Sequence, residues 1–327
     1  MADSLIPVTV LTGFLGAGKT TLLNRILKES HGHRIAVIEN EFGPESIDND
    51  LLVRDAGEQI VEMNNGCICC TVRGDLVRIL GELADKKAAG TLDFERVIIE
   101  TTGMANPGPV TQTFFMDDTV AERYLLDGVV TVVDAKHGEQ TLDEQTESQA
   151  QFGFADRILL SKTDLVESGD VERLRKRLVN INPRAKIKPV EFGNADISDV
   201  LDIRGFNLTS ILDIDPEFLT GVHEHNHEGD VTAFAFTSKK PFESSRLDEF
   251  LGAIVQIYGE DLLRYKGVLY MKGMARRVVF QGVHMMMGSD LGKPWEKGDV
   301  KSSKMVFIGR KLPREVILKG LEQCLAQ

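Results

Sequence analysis

No uninterrupted apolar run approaches the ~18 residues of a membrane-spanning helix, which argues against a transmembrane segment. The opening Met1-Ala2-Asp3-Ser4 puts no basic flank ahead of an apolar stretch, so no secretory signal is expected. Positive charge is in deficit: 38 Lys and Arg face 50 Asp and Glu, a formal net charge of −12. Such a chain repels phosphate backbones, which sets aside general nucleic-acid binding. Cysteine is scarce as well. There are four, three of them within four residues, so no disulfide framework is expected. Together these absences point to a reducing, cytoplasmic setting. Internal repeats and extended low-complexity tracts are also lacking.

What is present is the balance of a globular protein: 42% hydrophobic and 27% charged over 327 residues. At roughly 150 residues per domain that length suits two domains. Up to about residue 200, short β-rich apolar runs alternate with amphipathic helical stretches. Strands are expected at 8–12, 34–39, 97–100, 129–134, 158–160 and 186–191. Helices are expected to start at Lys19 and near Asp75, Asp143 and Asp170. The strands are apolar on both faces, as when helices cover both sides of a parallel sheet. The periodicity then breaks in an acidic stretch containing Asp215-Pro216 and His223-Glu224-His225-Asn226-His227. After it, strands are expected at 231–237, 269–271, 278–283 and 305–308, with helices at 245–258 and 314–325. The expected fold is α/β, a doubly wound, mostly parallel sheet of the P-loop NTPase kind, with a smaller C-terminal α+β domain. Residues 1–204 form the first domain, 205–230 a linker and 231–327 the second.

Gly13-Phe14-Leu15-Gly16-Ala17-Gly18-Lys19-Thr20-Thr21 matches G-x-x-x-x-G-K-[ST] between a strand and a helix. Glycines let successive N–H groups curl around a phosphate, and the helix start adds its positive dipole end. Lys19 is expected to reach the β- and γ-phosphates, and the Thr20 hydroxyl to ligate Mg²⁺. A chance Gly-rich turn would lack the strand-loop-helix context. Val97-Ile98-Ile99-Glu100 reads as a buried strand ending in an acid, with Thr101-Thr102-Gly103 behind it. Glu100 beside the loop suits the Mg²⁺ shell, and the Gly103 N–H suits the γ-phosphate. The bland reading of Glu100 is an acid that ends a strand and enters solvent. Lys19, Thr20 and Glu100 are the expected catalytic groups, with no base assigned. Ser161-Lys162-Thr163-Asp164 ends a further strand. Asp164 can accept from N1–H and the exocyclic amine of guanine, a donor pair adenine lacks, so GTP is favoured over ATP. The Lys162 stem can lie over the base. Ser161 stands where this motif more often has Asn.

Cys67, Cys69 and Cys70 lie in Asn64-Asn65-Gly66-Cys67-Ile68-Cys69-Cys70, ahead of a helix. Three soft thiolates suit Zn²⁺ or Cu⁺ and leave a fourth position open to exchange. A buried apolar turn and a redox switch are the alternatives. Glu39 and Glu41, after the second strand, are candidate switch contacts or further metal ligands; otherwise they are solvated loop acids.

GFLGAGKTTLLN, AVIENEFG, NNGCICC, VIIETTGMANPGPV and SKTD, in that order, resemble the CobW family of P-loop GTPases, and the resemblance runs through LLRYKGVLY and SSKMVFIG in the C-terminal part. That family belongs with metal-insertion GTPases, including nickel-delivery proteins for hydrogenase and urease. The resemblance implies a GTP-dependent metallochaperone, most often for zinc, with metal on Cys67, Cys69 and Cys70 and nucleotide at Gly13–Thr21. It implies client metalloproteins as partners, and a nucleotide- or metal-dependent homo-oligomer stays open. Pro44 stands where close relatives carry a potentially ligating acid, with Glu45 behind it. Asp117 stands at about the place of a histidine. The accessory ligands are therefore open.

A regulatory GTPase with redox-sensing cysteines and an ATP-using P-loop enzyme remain as rivals. His223, His225 and His227 would share one side of an extended chain and either capture zinc loosely or belong to a plain polar linker. His284-Met285-Met286-Met287 is expected to be core filler on a strand rather than a Cu⁺ site, and Cys324 a packed thiol. Basal hydrolysis is expected to be slow, since no trans-acting arginine is identifiable.

Overall fold

The computed structural model describes residues 5–29, 31–40, 59–63, 70–206 and 231–326. The chain divides into two compact units, Met1–Arg175 with Ala185–Gly205, and Lys176–Arg184 with Phe206–Gln327. No helix among the described residues is long and apolar enough to cross a membrane.

The first unit is built on seven strands: β1 Ile6–Thr12, β2 Ile35–Asn40, β3 Gln59–Met63, β4 Arg96–Glu100, β5 Tyr124–Asp134, β6 Arg157–Ser161 and β7 Lys186–Val190. They lie in the order β3-β2-β4-β1-β5-β6-β7, every pair parallel. The helices that begin in this unit are α1 Lys19–Lys28, α2 Cys70–Ala88, α3 Gly108–Met116, α4 Asp118–Ala121, α5 Gly138–Glu144, α6 Thr146–Phe154 and α7 Ser168–Ile181. In α1, Leu22, Leu23, Ile26 and Leu27 form one buried stripe. The stripe packs on Leu11, Val37, Ile98, Val130 and Val132 of the sheet. Each such side chain contributes about 1.5–3 kcal/mol of transfer free energy, before ordering entropy is subtracted. Arg25 and Lys28 in the last turn complement the helix dipole. Because the sheet is parallel, the loops that follow its strands gather at one edge. Central β1, flanked by β4 and β5, delivers its loop where the strand order reverses, the crevice such sheets use for ligands.

The second unit has β8 Val231–Ser238, β9 Leu262–Leu269, β10 Arg276–Val283, β11 Met286–Pro294 and β12 Ser303–Arg310, in the order β11-β10-β9-β12-β8 and antiparallel throughout. Helices α8 Ser244–Tyr258 and α9 Arg314–Gln323 share its core: Leu247, Leu251, Ile317 and Leu321 join Phe234, Phe236, Tyr265, Phe280 and Phe307. Cys324 is buried there, its thiol 3.2 Å from the Gly320 carbonyl oxygen, and burial raises its pKa.

Several expectations need correction. β3 and β11 were not anticipated, and α2 starts at Cys70 rather than near Asp75. The strand expected at 269–271 is β9, which ends at Leu269. Its β-pattern was obscured because Arg264 and Lys266 are buried between apolar neighbours. The Arg264 guanidinium sits 4.1 Å from the centre of the Phe206 ring, which shelters the charge. Met285 and Met287 are not core filler: they are 55% and 41% exposed at the tip and start of an edge strand. Residues 207–230, with the three linker histidines, lie outside the described residues.

Candidate nucleotide site

β1 runs into the Gly13–Gly18 loop and α1 begins at Lys19. Gly13, Gly16 and Gly18 have φ of 143°, 73° and 101°, values that side chains disfavour. At Gly13 space is also decisive, because a Cβ would lie 2.3 Å from the Val132 carbonyl oxygen. Ala17 is buried and its N–H closes the loop onto Phe14 O at 3.1 Å, while Leu15 and Gly16 are exposed. Lys19 is buried, and its ammonium donates to Gly13 O at 2.9 Å and Phe14 O at 3.4 Å. The charge is thus held at the centre of the loop. Thr21 is exposed on the first turn of α1.

The Thr20 hydroxyl donates to Glu100 Oε1 at 3.2 Å. Glu100 is buried at the end of β4, so it does not simply enter solvent. A hydroxyl and a carboxylate together are hard oxygen donors of the kind Mg²⁺ takes, and the pair fits that ion. Glu39 is buried within β2, and its register partner is Glu100. It is therefore a strand residue beside the Thr20–Glu100 pair and not a solvated loop acid. Glu41, Cys67 and Cys69 lie outside the described residues, and Cys70 is the first residue of α2. Among the described residues no three His, Cys, Asp or Glu side chains form a metal cluster.

Behind β4, the Thr101 N–H donates to Leu11 O at 2.9 Å and its hydroxyl to Thr12 Oγ1 at 2.8 Å. These bonds lay the 101–103 turn along β1. Gly103 abuts the phosphate loop so closely that a Cβ there would lie 2.6 Å from the Leu15 nitrogen. The turn is also clamped from α6, where Gln151, fully buried, donates through Nε2 to Gly103 O and Ala105 O, each at 3.0 Å. Sequence reasoning missed Gln151, since a buried amide on a helix leaves no periodic signal.

On the other flank, the Ser161 hydroxyl donates to Ala17 O at 2.6 Å, with Val133 O also near it at 3.2 Å. A shorter residue than the commoner Asn thus ties β6 to the phosphate loop. Lys162, in the left-handed region at φ 57°, reaches Asp134 Oδ2 at 2.7 Å. Burial alone would raise the Asp134 pKa, but hydrogen bonds from His137, Lys162 and the Lys136 N–H outweigh it and hold it below the usual carboxylate range. Asp134 was legible only as the end of a strand. Asp164 sits in a one-turn 3-10 helix, Thr163–Leu165, exposed to solvent. A cavity of about 270 Å³ opens beside Phe14 and Leu15, between Asp134 and three residues at the start of α5, His137 just ahead of it and Gln140 and Thr141 within it.

This strand-loop-helix crevice agrees with what a comparison of the whole sequence finds. Residues 7–189 match the family described as CobW/HypB/UreG, nucleotide-binding domain, and residues 231–325 match the cobalamin synthesis protein cobW C-terminal domain. The chain belongs to the CobW family. Among CobW-family relatives, the zinc chaperone YjiA of Escherichia coli K12 is 44% identical over 314 residues, covering 95% of this chain and 96% of YjiA. The zinc-regulated GTPase metalloprotein activator 1 of Schizosaccharomyces pombe is 33% identical over 94% of this chain and 83% of its own. The crystal structure of the Zn(II)-bound YjiA GTPase from E. coli superposes with a TM-score of 0.84 at 37% identity, over 99% of this chain and all of that one. The CobW-family architecture, a P-loop NTPase sheet followed by an antiparallel-sheet unit, therefore holds for the whole described chain.

Proposed function

We propose that this CobW-family protein is a GTP-hydrolysing zinc metallochaperone that takes zinc at Cys67, Cys69 and Cys70 and hands it to client proteins under GTP control. P-loop GTP hydrolysis is the activity of its relatives' fold and names. Zinc chaperones and Zn(II)-bound structures among those relatives support the cargo.

The observation that carries the reading is the register across β3, β2 and β4. Glu39 pairs with Glu100, whose carboxylate accepts from Thr20. β2 in turn pairs with β3, and the segment after β3 carries the cysteine motif and runs into α2 at Cys70. β3, which the cysteine motif follows in the chain, and β4, which carries Glu100, both pair with β2, and that layout supports coupling between metal and nucleotide in this reading.

In this reading Gly13–Thr21 cradle the phosphates, Lys19 neutralises charge developing on the γ-phosphoryl group, and Gly103 senses that group through its N–H. Thr20 and Glu100 would hold Mg²⁺, which supplies charge neutralisation on the phosphates. Asp164 reads the guanine edge while Ser161 and Lys162 fix its loop. Glu39 and Glu41 transmit the loop state towards the cysteines. Residues 1–204 form the GTPase domain, 205–230 the linker, and 231–327 the domain that docks the client.

The test is a competitive Zn²⁺ titration of the reduced protein with Mg²⁺ and either GDP or a non-hydrolysable GTP analogue. It is repeated after Cys67→Ser, Cys69→Ser and Cys70→Ser together. The expected result is a tight, cysteine-dependent site whose affinity differs at least about tenfold between nucleotide states, equivalent to ~1.4 kcal/mol of coupling. Equal affinities in both states would remove the delivery cycle and leave a GTPase whose cysteines answer to oxidant.

A further inference from the structure

β6 and β7 pair Ser161 with Val190, so the loops that begin at Lys162 and Glu191 leave the sheet side by side at the phosphate-loop edge. The first loop carries Asp164. The second is a tight turn in which the Asn194 N–H donates to Glu191 O at 2.8 Å. Within it Phe192 combines two features that folding does not favour. Its φ is 48°, in the left-handed region that bulky L-residues avoid. Its side chain is 82% exposed, more than any other large hydrophobic residue among those described. Glycine would relieve the backbone and a polar residue would suit the solvent. Phenylalanine does neither, and such outliers persist where a site uses them.

The turn is also pressed against the nucleotide machinery. Gly193, at φ 75°, lies so near α1 that a Cβ would come 2.9 Å from Thr21 O and 3.1 Å from the Leu22 nitrogen. Asn194 Oδ1 accepts from Arg25 Nη2 of α1 at 3.5 Å. The ring is therefore carried on a turn registered to the helix that begins with Lys19 and Thr20.

We propose that Phe192 is a nucleotide-binding residue, one wall of the base site, whose ring stacks on the purine of the bound nucleotide. This rests on the reading that the base sits at the Ser161–Asp164 loop. The two residues then divide the labour. Stacking tolerates any base because every base has a π-face, so Phe192 supplies affinity. Asp164 supplies discrimination through the hydrogen-bonding edge.

The experiment is isothermal titration of the full chain with GDP and, as a base-free probe, inorganic tripolyphosphate. Phe192→Ala is expected to raise the Kd for GDP roughly five- to a hundredfold, the range base stacking spans. Tripolyphosphate should stay within about twofold and Phe192→Trp should recover most of the GDP affinity. Phe192→Gly should weaken GDP like the alanine variant yet raise the thermal midpoint of the ligand-free chain, since it relieves the backbone. A GDP affinity unchanged in Phe192→Ala, or an equal loss for tripolyphosphate, overturns the proposal. Asp164→Asn, titrated with XDP and GDP, separates the two claims because an amide donor matches the xanthine oxygen. If that variant swaps selectivity while Phe192→Ala is silent, only the stacking proposal falls. If selectivity does not swap while Phe192→Ala weakens GDP alone, stacking stands and the role given to Asp164 falls.

Discussion

Gly103 shows how a single methyl group can decide activity. Its Cβ would fall on the backbone nitrogen of Leu15, which cannot swing aside as a flexible side chain would. Gly103→Ala should therefore push the 101–105 turn off the phosphate loop and cut single-turnover GTP hydrolysis tenfold or more, by analogy with lost oxyanion donors worth about 10²–10³ in rate. Far-UV circular dichroism should stay native. Asp134 gives a pH dependence at the same scale. Its folded-state pKa lies below the unfolded value because the bonds from His137, Lys162 and Lys136 outweigh desolvation. The stabilisation is therefore fully present above the unfolded value, near 4, and is lost as pH falls through the lowered folded pKa. The difference in urea midpoint between the native chain and Asp134→Asn should shrink steadily below about pH 4. A difference that grows there would contradict the assignment.

At the scale of elements, α6 holds the 101–105 turn through one side chain. Gln151 gives both amide protons to the carbonyls of Gly103 and Ala105, and its Oε1 is buried without a partner among the described residues. Gln151→Leu keeps much of the volume and removes both bonds. The expected outcome is a kcat for GTP reduced severalfold to tenfold, consistent with the ~1 kcal/mol of each such bond. The Kd for GDP, which presents no γ-phosphate to the turn, should remain within about twofold. A parallel loss of GDP affinity would mean that the clamp supports the whole loop instead of the switch. Element recognition from sequence succeeded where the pattern was strong. β1, β4, β5 and β6 are apolar on both faces and bounded by turn residues, and α1 has its buried stripe. It failed where burial departs from hydrophobicity: β11 is an exposed edge strand, and β9 buries two cations.

For the whole molecule the governing constraint is reciprocity. If the GTP analogue changes zinc affinity by some factor, zinc must change the affinity for the analogue by the same factor. Titrating the analogue with and without saturating Zn²⁺ should return the ratio obtained in the zinc titrations. Unequal ratios would show that a third equilibrium, such as self-association, intervenes.

The chemistry of the phosphate loop can be read from the chain alone, because G-x-x-x-x-G-K-T constrains backbone conformation and charge within eight consecutive residues. The sequence likewise carried the family, the two-part organisation of strands and helices, and the candidate thiols. Which distant groups meet is set by the folded chain. Glu100 reaches Thr20 across 80 positions, Ser161 reaches Ala17 across 144, and Gly193 lands on the first turn of α1. The roles of Gln151 and Phe192 were invisible for the same reason. A buried glutamine and an exposed phenylalanine have no local signature, and their meaning depends on which loops the parallel sheet brings to one edge.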